Sequence, residues 1–152
     1  MRNVHSVGCE AAVDTVVEDP SGTAVQVETV GRRRFRLNRV VPSGTPYLMG
    51  DVTWLDDEPA PDARTLAAVD EALRGYLRIL GLSAVTLDHH DPLLGYRVAD
   101  AMLLSTADRQ AVLAHRSSAL QTVFGLLLRE IFLIRELRAV PVTGQLSAVR
   151  AN

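Results

Sequence analysis

Alternating apolar residues dominate the first third of the chain. Near its start, apolar side chains occupy every second position, at Val7, Cys9, Ala11 and Val13, as expected for a strand with one buried face. The following Asp19-Pro20-Ser21-Gly22 favours a tight turn, because proline presets φ and glycine tolerates a positive φ. The pattern therefore predicts a hairpin that leads into a second strand over Thr23 to Val30.

Two more strands are predicted beyond Gly31, which is interpreted as a separator. The third strand covers Arg34 to Val41, with Phe35 and Leu37 alternating with polar residues. Pro42-Ser43-Gly44 ends it, and a fourth strand covers Tyr47 to Leu55. On one side of that fourth strand lie Leu48, Val52 and Trp54. Short strands joined by Pro/Gly turns indicate a small antiparallel barrel or sandwich.

The pattern changes to helical spacing after the acidic, proline-rich segment 56–61, which is interpreted as a hinge. Apolar residues then mark one helical face at Leu66, Val69, Leu73, Tyr76, Leu77 and Leu80. Asp62 lies near the start of this helix and Gly81 just after its end. The weak pattern over Leu82 to Gly95 predicts a loop. Three further helices are predicted over Tyr96 to Leu104, Thr106 to His115 and Ser117 to Leu137, with Pro141 after the last.

Composition and charge indicate a folded domain and argue against several classes of binding partner. Hydrophobic residues make up 47% and charged residues 22%, as in folded globular domains. The net charge of −2 gives no overall attraction for nucleic acid or anionic lipid. Arg129 and Glu130 interrupt the longest apolar run, which is too short to cross a bilayer. With a single cysteine and no export signal, the expected location is the cytoplasm.

The chain contains no lysine, since all 16 basic residues are arginine. This excludes the ATP-binding P-loop, whose lysine holds the β- and γ-phosphates, and it excludes Ser-Lys hydrolysis and Schiff-base chemistry. His89-His90-Asp91 is the one cluster with the residue types of a metal site, but further ligands would have to come from distant Cys9, His5 or His115. A solvated loop explains the cluster better, and Cys9 fits a buried, inert thiol. No catalytic residue, metal or cofactor is predicted.

Two groups of residues are candidates for binding. Arg32, Arg33, Arg34 and Arg36 surround Phe35 and could contact the phosphates and bases of RNA. Alternate arginines on a strand are more simply explained as an exposed polar face. Phe35, Tyr47, Met49 and Trp54 could belong to a core or line a groove for polypeptide at the sheet edge.

These segments, taken together, resemble the N-terminal, substrate-binding domain of Lon proteases. The similarity begins with His5-Ser6-Val7-Gly8-Cys9-Glu10-Ala11 and continues through Gly31-Arg32-Arg33-Arg34-Phe35-Arg36-Leu37. It extends through Pro46-Tyr47-Leu48 to Trp54-Leu55-Asp56-Asp57, and then to Ser105-Thr106-Ala107-Asp108-Arg109-Gln110 with the leucine-rich helix that follows. The resemblance covers roughly His5 to Pro141.

The resemblance implies an α+β fold in which a PUA-like antiparallel β-barrel precedes an α-helical bundle. The barrel would occupy residues 1–58, the bundle 59–141 and a flexible tail 142–152. Family members normally begin with a Pro/Leu/Phe-rich segment and an Ile-Phe-Glu element, and nothing of that kind precedes His5. Either the start is truncated or misassigned, the preferred explanation, or the barrel is incomplete. An incomplete barrel would leave strand edges open for self-association.

In Lon proteases this domain helps recognise unfolded or tagged polypeptides and is joined to an ATPase and a Ser-Lys protease, both of which need lysine. The expected function is therefore that of a stand-alone, bacterial, peptidase-associated domain without catalytic activity. It would bind unfolded polypeptide or a partner protein in connection with proteolysis. The alternative is an RNA-binding PUA-like module that uses the Arg32–Arg39 segment.

Overall fold

The computed structural model describes residues 4–19, 21–42, 44–56, 60–116 and 118–137. The chain divides into two compact units, Met1–Asp57 and Glu58–Asn152. The described part of the first contains β1 (Val7–Glu18), β2 (Val25–Val41) and β3 (Met49–Trp54). The described part of the second contains α1 (Ala63–Ile79), α2 (Leu94–Asp100), α3 (Thr106–Leu113) and α4 (Ala119–Leu137). Some predicted features lie outside the described residues: Pro20, Ser43, part of the hinge (57–59), Ser117, Pro141 and the tail 142–152.

The three strands form one antiparallel sheet in the order β1-β2-β3. The predicted hairpin between β1 and β2 is confirmed: the Asp19 N–H donates to the Ala24 carbonyl at 2.9 Å, and Gly22 has a φ of 67°. Within the described residues the sheet does not close on itself. The expected architecture, an incomplete antiparallel barrel followed by helices, is therefore confirmed.

The predicted break at Gly31 is wrong, because β2 is a continuous strand of 17 residues. Gly31 pairs with Ala11, and the register shifts between Cys9 and Ala11. A Cβ on Gly31 would lie 3.3 Å from the Cys9 Sγ. Glycine therefore permits close cross-strand approach beside a β-bulge, which explains why a residue typical of breaks lies inside a strand.

The buried face predicted for β1 is largely wrong. Val7 is buried and Cys9 half-buried, but Ala11 and Val13 are exposed. Two register shifts interrupt the pairing of β1 with β2, and each bulge changes which side chains share a face. Val7 is the one buried hydrophobic residue in the described part of this unit.

The fourth predicted strand is confirmed in position but is shorter than expected. It corresponds to β3, which begins at Met49, so Tyr47 and Leu48 precede it. Leu37 of β2 packs over Gly50 of β3, where a Cβ would lie 2.6 Å from the Leu37 Cδ1. The side chain of Leu37 thus occupies space that only glycine leaves free.

The first predicted helix is confirmed as α1. The Asp62 carboxylate caps its start by accepting a hydrogen bond of 2.9 Å from the Thr65 N–H, and this bond lowers the pKa of Asp62. Gly81, just after the end, has a φ of 68°, as is usual for glycine following a helix. Local capping signals therefore set both ends of α1.

The core of the second unit lies among its helices. Its fully buried side chains include Val69, Leu73, Tyr76, Val98, Met102, Val112, Val123 and Leu127. Burial of each large apolar side chain stabilises the fold by about 1.5–3 kcal/mol. The Tyr76 hydroxyl accepts a hydrogen bond of 3.1 Å from the Leu103 N–H, so the polar end of this buried side chain has a partner.

The remaining helices are confirmed with shifted ends. α2 begins at Leu94 and ends at Asp100. The Leu93 N–H donates to the Asp91 carboxylate at 2.7 Å, which forms a turn just before the helix. α3 begins at Thr106, after its Ser105 cap, as predicted, but ends at Leu113. α4 begins at Ala119 and ends at Leu137. None of the described helices is long and apolar enough to cross a membrane.

An ion pair links α3 to α4. Arg129 donates from its two terminal nitrogens to both carboxylate oxygens of Asp108, at 2.9 and 3.0 Å. These bonds, with a further one from the Ser105 hydroxyl, lower the pKa of Asp108 to about 2. Bidentate pairing of this kind fixes geometry as well as charge.

Candidate functional site

An aromatic pair lies on one face of the sheet. Phe35 of β2 and Trp54 of β3 are direct cross-strand neighbours, with ring centroids 6.1 Å apart in an edge-to-face arrangement. On its other side Phe35 is opposite Gly8, and a Cβ there would lie 2.5 Å from the Phe35 Cζ. The absence of a side chain at Gly8 therefore lets the end of the ring pack against the β1 backbone.

An arginine side chain lies over the exposed Trp54 ring of this pair. The Arg33 guanidinium carbon lies 4.6 Å from the centroid of the Trp54 ring, within range of a cation–π interaction. Trp54 remains 43% exposed, whereas Phe35 is half-buried. Arg33, Phe35 and Trp54 are called the Trp54 cluster below. The cluster offers a large apolar surface and a positive charge at one place.

Two aliphatic side chains continue this face along the sheet. Leu37 and Val52 are cross-strand partners and lie two positions from Phe35 and Trp54 on their respective strands, so all four share a face. Both Leu37 and Val52 are half-buried. The Trp54 cluster is thus the exposed end of an apolar strip.

Tyr47 and Met49, predicted to bind with Phe35 and Trp54, do not join the cluster. Met49 pairs with Val41, and the positions of Met49 and Trp54 differ by an odd number, five, along the regular strand β3. Its side chain therefore points to the opposite face of the sheet. Tyr47 precedes the strand and is 63% exposed. The structure brings together two of the four aromatic or apolar candidates.

The arginines considered for RNA binding are divided between the two faces. Arg34 is opposite Cys9, and Arg36 is opposite Val7, whereas Arg33 covers Trp54 on the other face. Arg32 is exposed. Arg39 pairs with Asp51 at 3.3 Å. A continuous strip of positive charge, which would follow a nucleic-acid backbone, is not formed by these residues.

A second surface, between α1 and α4, was not predicted from the sequence. A groove of about 610 Å³ has an apolar floor formed by Phe124, Leu128 and Ile131. Its rim includes Arg74, which pairs with Asp70, together with Arg78 and Arg135. The composition of α4 could have indicated this surface, because the helix has apolar residues on more than one side.

The histidine cluster has a structural explanation. The Asp91 carboxylate accepts a hydrogen bond from the Leu93 N–H just before α2 and pairs with Arg97 at 3.2 Å. The Leu93 N–H bond lowers the pKa of Asp91. The Asp88 carboxylate accepts from the His90 N–H at 2.9 Å. Among the described residues, no group of three His, Cys, Asp or Glu side chains is placed to hold a metal ion.

Comparison with known proteins identifies the family. The family model described as "ATP-dependent protease La (LON) substrate-binding domain" matches residues 2–122. The crystal structure of a Lon N-terminal domain protein from Xanthomonas campestris is similar in fold, with a TM-score of 0.57 and 21% sequence identity. The match covers 82% of this chain and 68% of that one. A search of curated proteins finds no match. The chain belongs to the family of Lon protease substrate-binding domains.

Proposed function

We propose that the chain recognises extended segments of unfolded polypeptide, or of a partner protein in connection with proteolysis, through the Trp54 cluster. The observation that carries this proposal is the exposed Trp54 ring, which contacts both Phe35 and Arg33 on a sheet face. Membership of a family of substrate-binding, non-catalytic domains supports a recognition role. Tryptophan and arginine are the side chains that most often dominate the energy of protein interfaces.

The position of β3 supports binding of an extended chain. β3 is the outermost strand on its side of the described sheet, so its outer backbone groups are available to an added strand. A polypeptide that pairs there would place every second side chain on the face that carries Trp54. Backbone pairing is independent of sequence, and the aromatic ring accepts apolar side chains of many shapes, which suits unfolded clients.

Trp54 can itself report binding, because it is the only tryptophan of the chain. Titration with a permanently unfolded, tryptophan-free polypeptide should shift the emission of Trp54 and give a saturable binding curve. In a second assay, Trp54→Ala should weaken binding of a fluorescently labelled polypeptide about tenfold or more, as truncation of a central interface tryptophan does. Arg33→Ala should weaken binding less.

Leu48→Ala is the control, since Leu48 precedes β3, lies outside the Trp54 cluster and is 79% exposed. Its affinity should equal that of the unchanged protein. Tyr47→Ala and Met49→Ala, measured in the same assay, test the other two predicted residues. Equal affinity of Trp54→Ala and the unchanged protein, with circular dichroism showing intact folding, would contradict the proposal.

RNA binding makes a different prediction. If the Arg32–Arg39 segment held RNA, retention on immobilised RNA would decrease steeply with salt. Retention on RNA would also be lost in Arg32→Glu and Arg34→Glu. The Trp54→Ala variant would still bind RNA with the same salt dependence as the unchanged protein. No retention at low salt would remove this alternative.

A further inference from the structure

The first half of β2 has an open side. β3 pairs with β2 only from Phe35 to Val41, and the Leu55 N–H extends this pairing to the Arg34 carbonyl. In the described residues no strand pairs with Val25–Arg33 on that side, while β1 pairs on the other. The segment Val25–Arg33 is called the β2 edge below.

The register shows which backbone groups point outward from the β2 edge. Ala24 accepts a hydrogen bond from Asp19, so the backbone groups of Ala24 point toward β1. Hydrogen-bonding direction alternates along an antiparallel strand. The N–H and C=O groups of Val25, Val27, Thr29 and Gly31 therefore point away from β1. These groups can form a ladder with another strand.

The β2 edge also exposes three valines. Its valines are 57%, 48% and 51% exposed at Val25, Val27 and Val30. Among the described residues, the sheet at this level is a two-stranded ribbon, and isolated two-stranded ribbons are at best marginally stable in water. Addition of strands to the β2 edge would stabilise the ribbon and remove its unpaired backbone groups.

We propose that the β2 edge pairs with the same edge of a second copy of this chain, antiparallel about a two-fold axis at Val30. This register places Glu28 opposite Arg32 of the other copy, and the two-fold axis repeats that pair. Thr29 and Gly31 become hydrogen-bonded partners. Glu28 and Arg32 are exposed, and neither makes an ion pair within the described part of the chain.

The charges on the three described strands favour self-pairing at the β2 edge over self-pairing at β1 or β3. β1 carries only acidic charges, at Glu10, Asp14 and Glu18, and β3 carries only Asp51. Self-pairing of β1 would bring carboxylates together without a cation, which destabilises a strand pair. Pairing of β1 with the β2 edge of another copy would join different surfaces and continue into open-ended assemblies. The β2 edge alone is complementary to itself.

Charge exchange tests the proposal in the intact chain. Sedimentation equilibrium of the unchanged protein should give twice the mass of one chain. Glu28→Arg or Arg32→Glu alone should weaken association more than about tenfold, because each places like charges opposite one another twice. The double variant Glu28→Arg/Arg32→Glu should restore the dimer. An equimolar mixture of the two single variants should form a heterodimer, since both of its pairs are again of opposite sign.

Cysteine trapping tests the register. In a Cys9→Ala background, Val30→Cys should form a covalent dimer on mild oxidation, because residues facing each other across the axis in a non-hydrogen-bonded pair have Cα atoms about 4.5 Å apart. Val27→Cys is the control, since the two copies of this residue would be about 20 Å apart.

Four outcomes would overturn the proposal. A monomer at all concentrations would do so, as would a dimer unaffected by Glu28→Arg. Assemblies that grow with concentration would indicate pairing of β1 with β2 instead. A monomer whose affinity for unfolded polypeptide decreases with Glu28→Arg would assign the β2 edge to the polypeptide. Circular dichroism of each variant separates loss of association from loss of folding.

Discussion

Single side chains with a close partner decide much of the geometry described above. Gly8 admits the Phe35 ring, and Gly50 admits Leu37. Arg33 and Phe35 both contact the Trp54 ring. In the helical unit, Arg129 holds Asp108 through two hydrogen bonds. In each case one residue is placed by the partner across from it rather than by its neighbours in sequence.

The Asp108–Arg129 pair predicts a pH-dependent stability. The pKa of Asp108 is lowered to about 2 in the folded protein, below its unfolded value. The pair therefore stabilises the fold above the unfolded pKa, and this stabilisation is lost as pH falls toward 2. Asp108→Asn should reduce the free energy of unfolding by on the order of 1 kcal/mol at neutral pH, after allowance for solvent screening.

Urea denaturation at a series of pH values checks this. The difference between Asp108→Asn and the unchanged protein should become smaller as the solution is acidified. Asp100→Asn provides a control, because Asp100 makes a more exposed pair with Arg109 at 3.2 Å. A difference that is constant with pH would contradict the assignment to Asp108.

At the scale of elements, bulges in the strands and glycines between helices set how elements approach one another. The bulge beside Gly31 keeps β2 continuous. Between helices, a Cβ on Gly95 of α2 would lie 2.7 Å from the Leu120 backbone nitrogen in α4. α2 and α4 therefore contact each other through backbone atoms, which only glycine permits.

This contact predicts opposite effects for two glycine substitutions. Gly95→Ala should destabilise the protein by about 1–3 kcal/mol, because the added methyl group pushes α2 away from α4. Gly75→Ala in α1 should stabilise it by about 0.5–1 kcal/mol, since nothing lies within 4 Å of its Cβ position and alanine favours helix interiors. Thermal unfolding of both variants measures the difference. Equal effects of the two would show that α2 and α4 can separate at little cost.

At the scale of the molecule, burial is unequally distributed between the two compact units. Every member of the main buried cluster belongs to the helical unit. In the described part of the sheet unit, most valines are exposed. Because hydrophobic burial is the main stabilising contribution in folding, the two units should differ in stability.

We therefore expect unfolding in two steps. Trp54, the only tryptophan, reports on the sheet unit by fluorescence, whereas far-ultraviolet circular dichroism mainly reports on the four described helices. The fluorescence transition should occur at lower urea concentration than the dichroism transition, since coincident transitions are the mark of a two-state protein. Tyr76→Phe should shift only the dichroism transition, because Tyr76 is buried in the helical unit. Coincident curves would contradict the expected difference.

The elements that could be predicted from the sequence are those whose signals are local. Alternation and turn residues predicted the β1–β2 hairpin, and caps at Asp62 and Ser105 marked where α1 and α3 begin. Each of these depends on residues within a few positions, so it can be found without knowledge of the fold. The absence of lysine likewise excluded several kinds of catalysis from composition alone.

Which residues share a surface could not be predicted in the same way, because it depends on strand pairing. The tertiary structure placed Trp54 with Phe35 and Arg33, separated Met49 from them, and divided the arginines between two faces. It also placed Gly31 inside a strand and exposed the β2 edge. The physical reason is register: one bulge reverses the faces of all later side chains in a strand, and bulges arise from pairing with a distant strand.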